Sequence, residues 1–134
     1  RQAPDIVLAI DTVPSGGTPE LAIDELPWTI GDGPLLKVRE THGLSTHGPL
    51  RQLFRSVAER HGIPYQLIVD TAGITDATAA QQASGRIAAL TLGLARRYSH
   101  SAVEMLDLSD LVHLIDWCEQ SLRELQTRGQ LQRV

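Results

Sequence analysis

Ile87-Ala88-Ala89-Leu90-Thr91-Leu92-Gly93-Leu94, followed by Arg97-Tyr98-Ser99-His100-Ser101-Ala102-Val103-Glu104-Met105, is the stretch on which the reading of this chain turns. The first segment is apolar without alternation, as a strand covered on both faces requires. A histidine just past such a strand stands where open α/β sheets place their ligands. A second run, Asp5-Ile6-Val7-Leu8-Ala9-Ile10, is also apolar and ends in Asp11. One imidazole and one carboxylate, each delivered by a strand end, make half of a metal site. The other half is not in these residues.

The elements between these runs follow from punctuation and period. Val13 to Pro19 is a loop by composition, Glu20 to Ile30 reads as irregular, and Gly31-Asp32-Gly33-Pro34 is a turn. Leu35 to Arg39 is a short strand. After Pro49, the residues Leu50, Leu53, Phe54, Val57 and Ala58 fall on one helical stripe, which Gly62 stops and Pro64 forbids to continue. Tyr65 to Val69 is the next strand, and Thr75 or Asp76 caps an alanine-rich helix that Gly85 ends. Asp107 can cap the last helix, with Asp110 favoured by the positive end of its dipole. Its expected buried stripe is Leu111, Leu114, Ile115, Cys118, Leu122 and Leu125, and the tail after Gly129 is expected to fray. Strand, strand, helix, strand, helix, strand, helix is the signature of an α/β layered domain with a largely parallel sheet.

Composition narrows the function. A chain of 134 residues with 42% hydrophobic residues fits one folded domain, and 4% aromatics means an aliphatic core. The net charge of -4 argues against a nucleic-acid surface. No apolar run approaches the ~20 residues of a membrane span. Cys118 stands alone, so no internal disulfide forms, and its place in a helical pattern makes it a core residue. The sequence opens at Arg1 and reaches a strand almost at once, so it reads as a piece of a longer protein.

Four stretches, in order, resemble the C-terminal part of the catalytic domain of the M42 metallo-aminopeptidases, the glutamyl, deblocking and tetrahedral aminopeptidases. They are Asp5 to Thr12, Gly62-Ile63-Pro64-Tyr65-Gln66, Gly73-Ile74-Thr75-Asp76-Ala77, and Arg97-Tyr98-Ser99-His100-Ser101 with Glu104-Met105. The resemblance implies a three-layer α/β sandwich fragment of zinc-peptidase type, with a mostly parallel sheet and helices on its faces. Residues 1–134 would be the C-terminal portion of one domain, without its upstream part or the inserted dimerisation domain. The chain departs from the family pattern at Gly17, Ala72, Ile74 and Ala95.

By that resemblance Asp11 binds one metal of a two-metal site and His100 the other, while Thr75, Asp76 and Arg97 meet the substrate. Two zinc or cobalt ions about 3.5–4 Å apart would polarise the scissile carbonyl and activate a shared water. The remaining ligands and the general base have no counterpart here, so the isolated chain is expected to hold metal weakly or not at all. The implied partners are a peptide substrate and further copies of the chain, in the cytoplasm, with no nucleic acid and no membrane. On the residues alone, a strand-end aspartate is more often a turn cap, a loop histidine more often a surface residue, and Thr75 a plain helix cap. His42, His47, His61 and His113 have no metal-ligand spacing and are left out of the site. The alternative class is a non-catalytic α/β module that keeps the peptidase fold and binds a partner.

Overall fold

An apolar strand with no polar face must be covered on both sides, and the chain covers the strand Ala88–Arg96 in that way. The computed structural model describes residues 4–19, 22–40, 46–71 and 73–128. His42, Ala72 and the tail after Gly129 lie outside these. In chain order the elements are β1 (Ile6–Pro14), β2 (Leu35–Arg39), α1 (Gly48–His61), β3 (Gln66–Val69), α2 (Asp76–Ala83), β4 (Ala88–Arg96) and α3 (Leu108–Arg128). The strands form one sheet in the order β1-β4-β2-β3. β1 runs parallel to β4, and β2 parallel to β3. The joint between β4 and β2 is antiparallel, through Leu35↔Gly93, Leu36↔Leu92 and Lys37↔Thr91.

Alternation along β4 sorts the core into two layers. Leu90, Leu92 and Leu94 face α1 and α3, where they pack with Leu50, Leu53, Phe54, Val57 and Trp117. Ala89 and Ala95 face the other way, toward Ala77 of α2 and toward Trp28, Val13 and Leu35. The result is helices, sheet, helix: a three-layer α/β sandwich, as expected. Trp117 is fully buried, donates from Nε1 to the Phe54 carbonyl at 2.8 Å, and meets the Phe54 ring edge-on at 6.0 Å. One indole therefore joins α3 to α1.

The expected stripe of α1 is the buried one, and Gly62 takes the left-handed conformation (φ 64°) that stops the helix. α3 is rotated from its expected phase. Leu114 is buried, with Leu111, Cys118 and Leu125 partly so, but Ile115 and Leu122 are exposed, because Trp117 claims the centre of the buried face. Asp110 does more than favour the dipole: its carboxylate is buried and accepts from the amides of Gly31 (2.8 Å) and Gly33 (2.9 Å), fixing the turn ahead of β2. Asp107 accepts from the Ser109 amide at 2.7 Å, as an N-cap should.

β1 and β4 both outrun their expected ends. Their ladder continues through Val13↔Ala95 and Pro14↔Arg96, past the residues whose composition reads as loop. Pro14 is tolerated because β1 is an edge strand and needs no donor there. Among the described residues nothing pairs with that outer edge, and α3 carries an exposed apolar flank. Leu108, Val112, Ile115 and Leu122 recur on one side of α3, all exposed, and Ile10 of β1 is 62% exposed. Such surfaces recruit partners.

Two outcomes follow. Replacing Trp117 with Ala is expected to cost about 3–5 kcal/mol, read as a lower urea midpoint. Light scattering on the chain is expected to show self-association that rises with concentration, and a monomer throughout the range would count against an exposed assembly surface.

Candidate functional site

Asp11 does not terminate its strand. It lies inside β1, opposite Gly93 of β4. A side chain there would be crowded: a Cβ would stand 3.1 Å from the Asp11 carbonyl oxygen and 3.2 Å from Val13 Cγ2. The Asp11 side chain is exposed, and its Oδ1 accepts from the Thr12 amide at 2.7 Å. By strand alternation it shares the α2 face with Ala9 and Val13. It lines a cleft of about 620 Å³ whose wall includes Ile74, Thr75 and Asp76. Three of the five expected site residues, Asp11, Thr75 and Asp76, thus meet in one cleft.

Thr75 is placed there by groups the sequence reading overlooked. It occupies the N-cap position of α2, yet its side chain caps nothing. Its hydroxyl donates instead to Glu40 Oε1 at 2.8 Å and meets the Thr91 hydroxyl at 2.8 Å, while its amide donates to Glu40 Oε2 at 2.9 Å. Thr78 donates to the same carboxylate. Glu40, fully buried just past β2, is the anion at the positive end of α2. Lys37 offsets the charge: its Nζ lies 3.3 Å from Glu40 Oε1 and 2.7 Å from Asp70 Oδ2. Asp70 in turn accepts from the Gly73 amide at 3.1 Å, where any Cβ on Gly73 would stand 2.9 Å from Asp70 Oδ2. Lys37 carried the available signal, since a lysine among Leu35, Leu36 and Val38 needs buried carboxylates within reach. Burial alone would push the Glu40 carboxyl up. The hydrogen bonds from Thr78 and Thr75, with Lys37 beside them, outweigh it and hold the carboxyl below its ordinary value.

His100 stands at another place, the tip of β4. Tyr98 and His100 both take the left-handed region (φ 56° and 60°), which costs a non-glycine residue energy that its surroundings must cover. The loop is held by two backbone bonds between Arg97 and Met105 (2.9 and 3.2 Å) and by the His100 amide donating to Glu104 Oε1 at 2.6 Å. Arg96 reaches across it. Nη1 donates to Thr12 Oγ1 at 2.6 Å, Nη2 donates to Ser99 Oγ at 2.7 Å, and Nη2 lies 3.5 Å from His100 Nε2. Arg97 lines a recess of about 200 Å³ with Ser15, Thr18, Tyr98 and Ser99, and its guanidinium approaches Gly17. Asp11 and His100 are therefore linked through Thr12 and Arg96, with Asp11 lining the α2 cleft and His100 lying in the loop beyond β4.

Carboxylate oxygen and neutral imidazole nitrogen suit zinc in kind. In number they fall short, since stable sites use three or four protein donors. Among the described residues no three His, Cys, Asp or Glu side chains come together as a metal site. Cys118 adds no donor, because burial raises its thiol and keeps it protonated.

The same stretches are found in known proteins. The profile of the M42 glutamyl aminopeptidases matches residues 1–117. A provisionally named aminopeptidase of Acetivibrio thermocellus is 35% identical over 108 residues, which are 81% of this chain and 32% of that protein. Among solved structures, the aminopeptidase APDkam598 of the archaeon Desulfurococcus kamchatkensis superposes with a TM-score of 0.81 at 35% identity, over 87% of this chain and 33% of that one. The TET1 peptidase of Pyrococcus horikoshii, which assembles into a tetrahedron or a large octahedral shell, gives a TM-score of 0.65 at 30% identity over 84% of this chain and 32% of its own. The chain spans about a third of the length of the relatives it matches.

The Glu40 cluster predicts how stability depends on pH. A carboxyl whose folded value lies below its unfolded one contributes stability above the unfolded value and loses it as pH falls through the folded one. Thermal melts should therefore drop on the acid side of the ordinary carboxylate range. Glu40→Gln should cost about 1–3 kcal/mol at neutral pH and flatten that acid limb.

Proposed function

This chain belongs to the M42 glutamyl aminopeptidase family, and on that premise we propose that it is part of a dinuclear, metal-dependent aminopeptidase that removes N-terminal residues from peptides. Zinc or cobalt would be the metal. In the complete protein Asp11 binds one ion and His100 the other, with the general base and the remaining donors supplied by sequence outside residues 1–134. The metals, when bound, supply a polarised carbonyl and an activated water. The chain's own residues do the positioning. Thr75 and Asp76 form the wall of the Asp11 cleft and meet the substrate backbone, and Arg97, at the β4 tip, meets it from the other side. The observation that carries this reading is the cleft that Asp11 shares with Thr75 and Asp76, held in shape by Glu40 and Lys37.

We place that action in the cytoplasm; none of the described helices is long and apolar enough to cross a membrane. The solved TET1 peptidases form large assemblies, and the β1 edge and the apolar flank of α3 give this chain surfaces for a homo-oligomer. One observation favours the other class, a non-catalytic module that binds a partner: a guanidinium stands beside the only imidazole assigned to metal.

The two readings separate by experiment. A complete protein carrying this sequence is expected to cleave aminoacyl-nitroanilides with added cobalt, and Asp11→Asn or His100→Ala is expected to abolish cleavage. No cleavage by the unmodified complete protein, with any peptide and either metal, would favour the binding module. The chain on its own is expected to show weak or no zinc binding by calorimetry. Submicromolar zinc affinity lost in His100→Ala would contradict the assignment of the missing donors to other sequence.

A further inference from the structure

Four oxygen and nitrogen acceptors converge on a single guanidinium at the tip of β4. Arg96 Nη1 donates to Thr12 Oγ1 at 2.6 Å and lies 3.2 Å from Glu104 Oε1. Nη2 donates to Ser99 Oγ at 2.7 Å and stands 3.5 Å from His100 Nε2. The Arg96 side chain is only 13% exposed, so the charge is set into the fold. A carboxylate and an imidazole facing the same point are also what a divalent ion would take.

We infer that Arg96 is the resident cation of this cradle and that it excludes a divalent metal from His100 and Glu104 while it is seated. An ion on His100 Nε2 sits ~2.0–2.1 Å from that atom, and the guanidinium nitrogen already lies 3.5 Å from it. Two positive groups that close repel, so the seated guanidinium opposes an ion on His100. Metal capture at His100 therefore requires the guanidinium to swing away. Its departure releases Glu104 Oε1 from an ion pair, while the same oxygen still accepts from the His100 amide and keeps the loop in place. Arg96 thus sets the threshold for metal uptake at this end of the site. The inference rests on His100 being a metal ligand.

The experiment uses the chain as it is, with zinc followed by calorimetry and cobalt by its visible absorption. Arg96→Met removes the charge and keeps the side-chain length. It is expected to tighten zinc binding by about tenfold or more, with the gain lost when His100→Ala or Glu104→Gln is added. Arg96→Lys, which keeps a cation, is expected to show no gain. Zinc binding no tighter in Arg96→Met than in the unmodified chain overturns the inference and leaves the peptidase reading to its own test in the complete protein. A gain that survives His100→Ala removes His100 from both. Should Arg96→Met fail to fold, the unmodified ¹⁵N-labelled chain decides. In millimolar zinc, the Arg96 side-chain signals are expected to move together with the His100 ring signals. His100 moving alone overturns the inference.

Discussion

The buried ammonium of Lys37 is the constraint on which the α2 layer depends. A lysine at 2% exposure is costly unless it is paired. Here it draws Glu40 and Asp70, from the ends of β2 and β3, onto one point. Those carboxylates then do separate work. Glu40 takes the first amide and two hydroxyls of α2, so the helix starts where the sheet dictates rather than where its own residues would cap it. Asp70 closes the loop at Gly73. The wall of the Asp11 cleft is thus defined by charges 35 and 38 positions away in sequence from the residues that form it.

The antiparallel joint between β4 and β2 explains why the site divides. β1 and β4 point one way, β2 and β3 the other. The carboxyl ends of β2 and β3, with Glu40 and Asp70, therefore lie at the opposite rim of the sheet from the Arg96-to-His100 loop. Asp11, three residues before the end of β1, stands between them on the α2 face. An all-parallel sheet would bring every strand end to one rim. This sheet brings to His100 only the far ends of β1 and β4, joined by the Thr12–Arg96 bond.

Much of the fold was legible because period and punctuation agree. The α1 stripe, its stop at Gly62 and the strand that follows are local features, and the structure repeats them. Errors arose where tertiary pairing overrode composition. Val13 and Pro14 look like loop, but β4 runs alongside and holds them in a ladder. Ile115 and Leu122 look like core, but the large indole of Trp117 turns α3 toward α1. Motif order singles out Asp11, Thr75 and Asp76, and these three line one cleft. Lys37, Glu40, Asp70 and Arg96 were not legible in this way, because each acts through a partner distant in sequence. A charged residue inside an apolar strand was the one local clue, and it pointed to a need without naming what met it.

Only three residue pairs, Leu35↔Gly93, Leu36↔Leu92 and Lys37↔Thr91, stitch the two halves of the sheet together. Packing of Leu36 with Leu90 and Leu92 backs that narrow seam. The loop after β3 borders the Asp11 cleft, and the loop after β4 carries Tyr98 and His100. The two loops lie at separate places on the sheet, so a change of length in one need not displace the other.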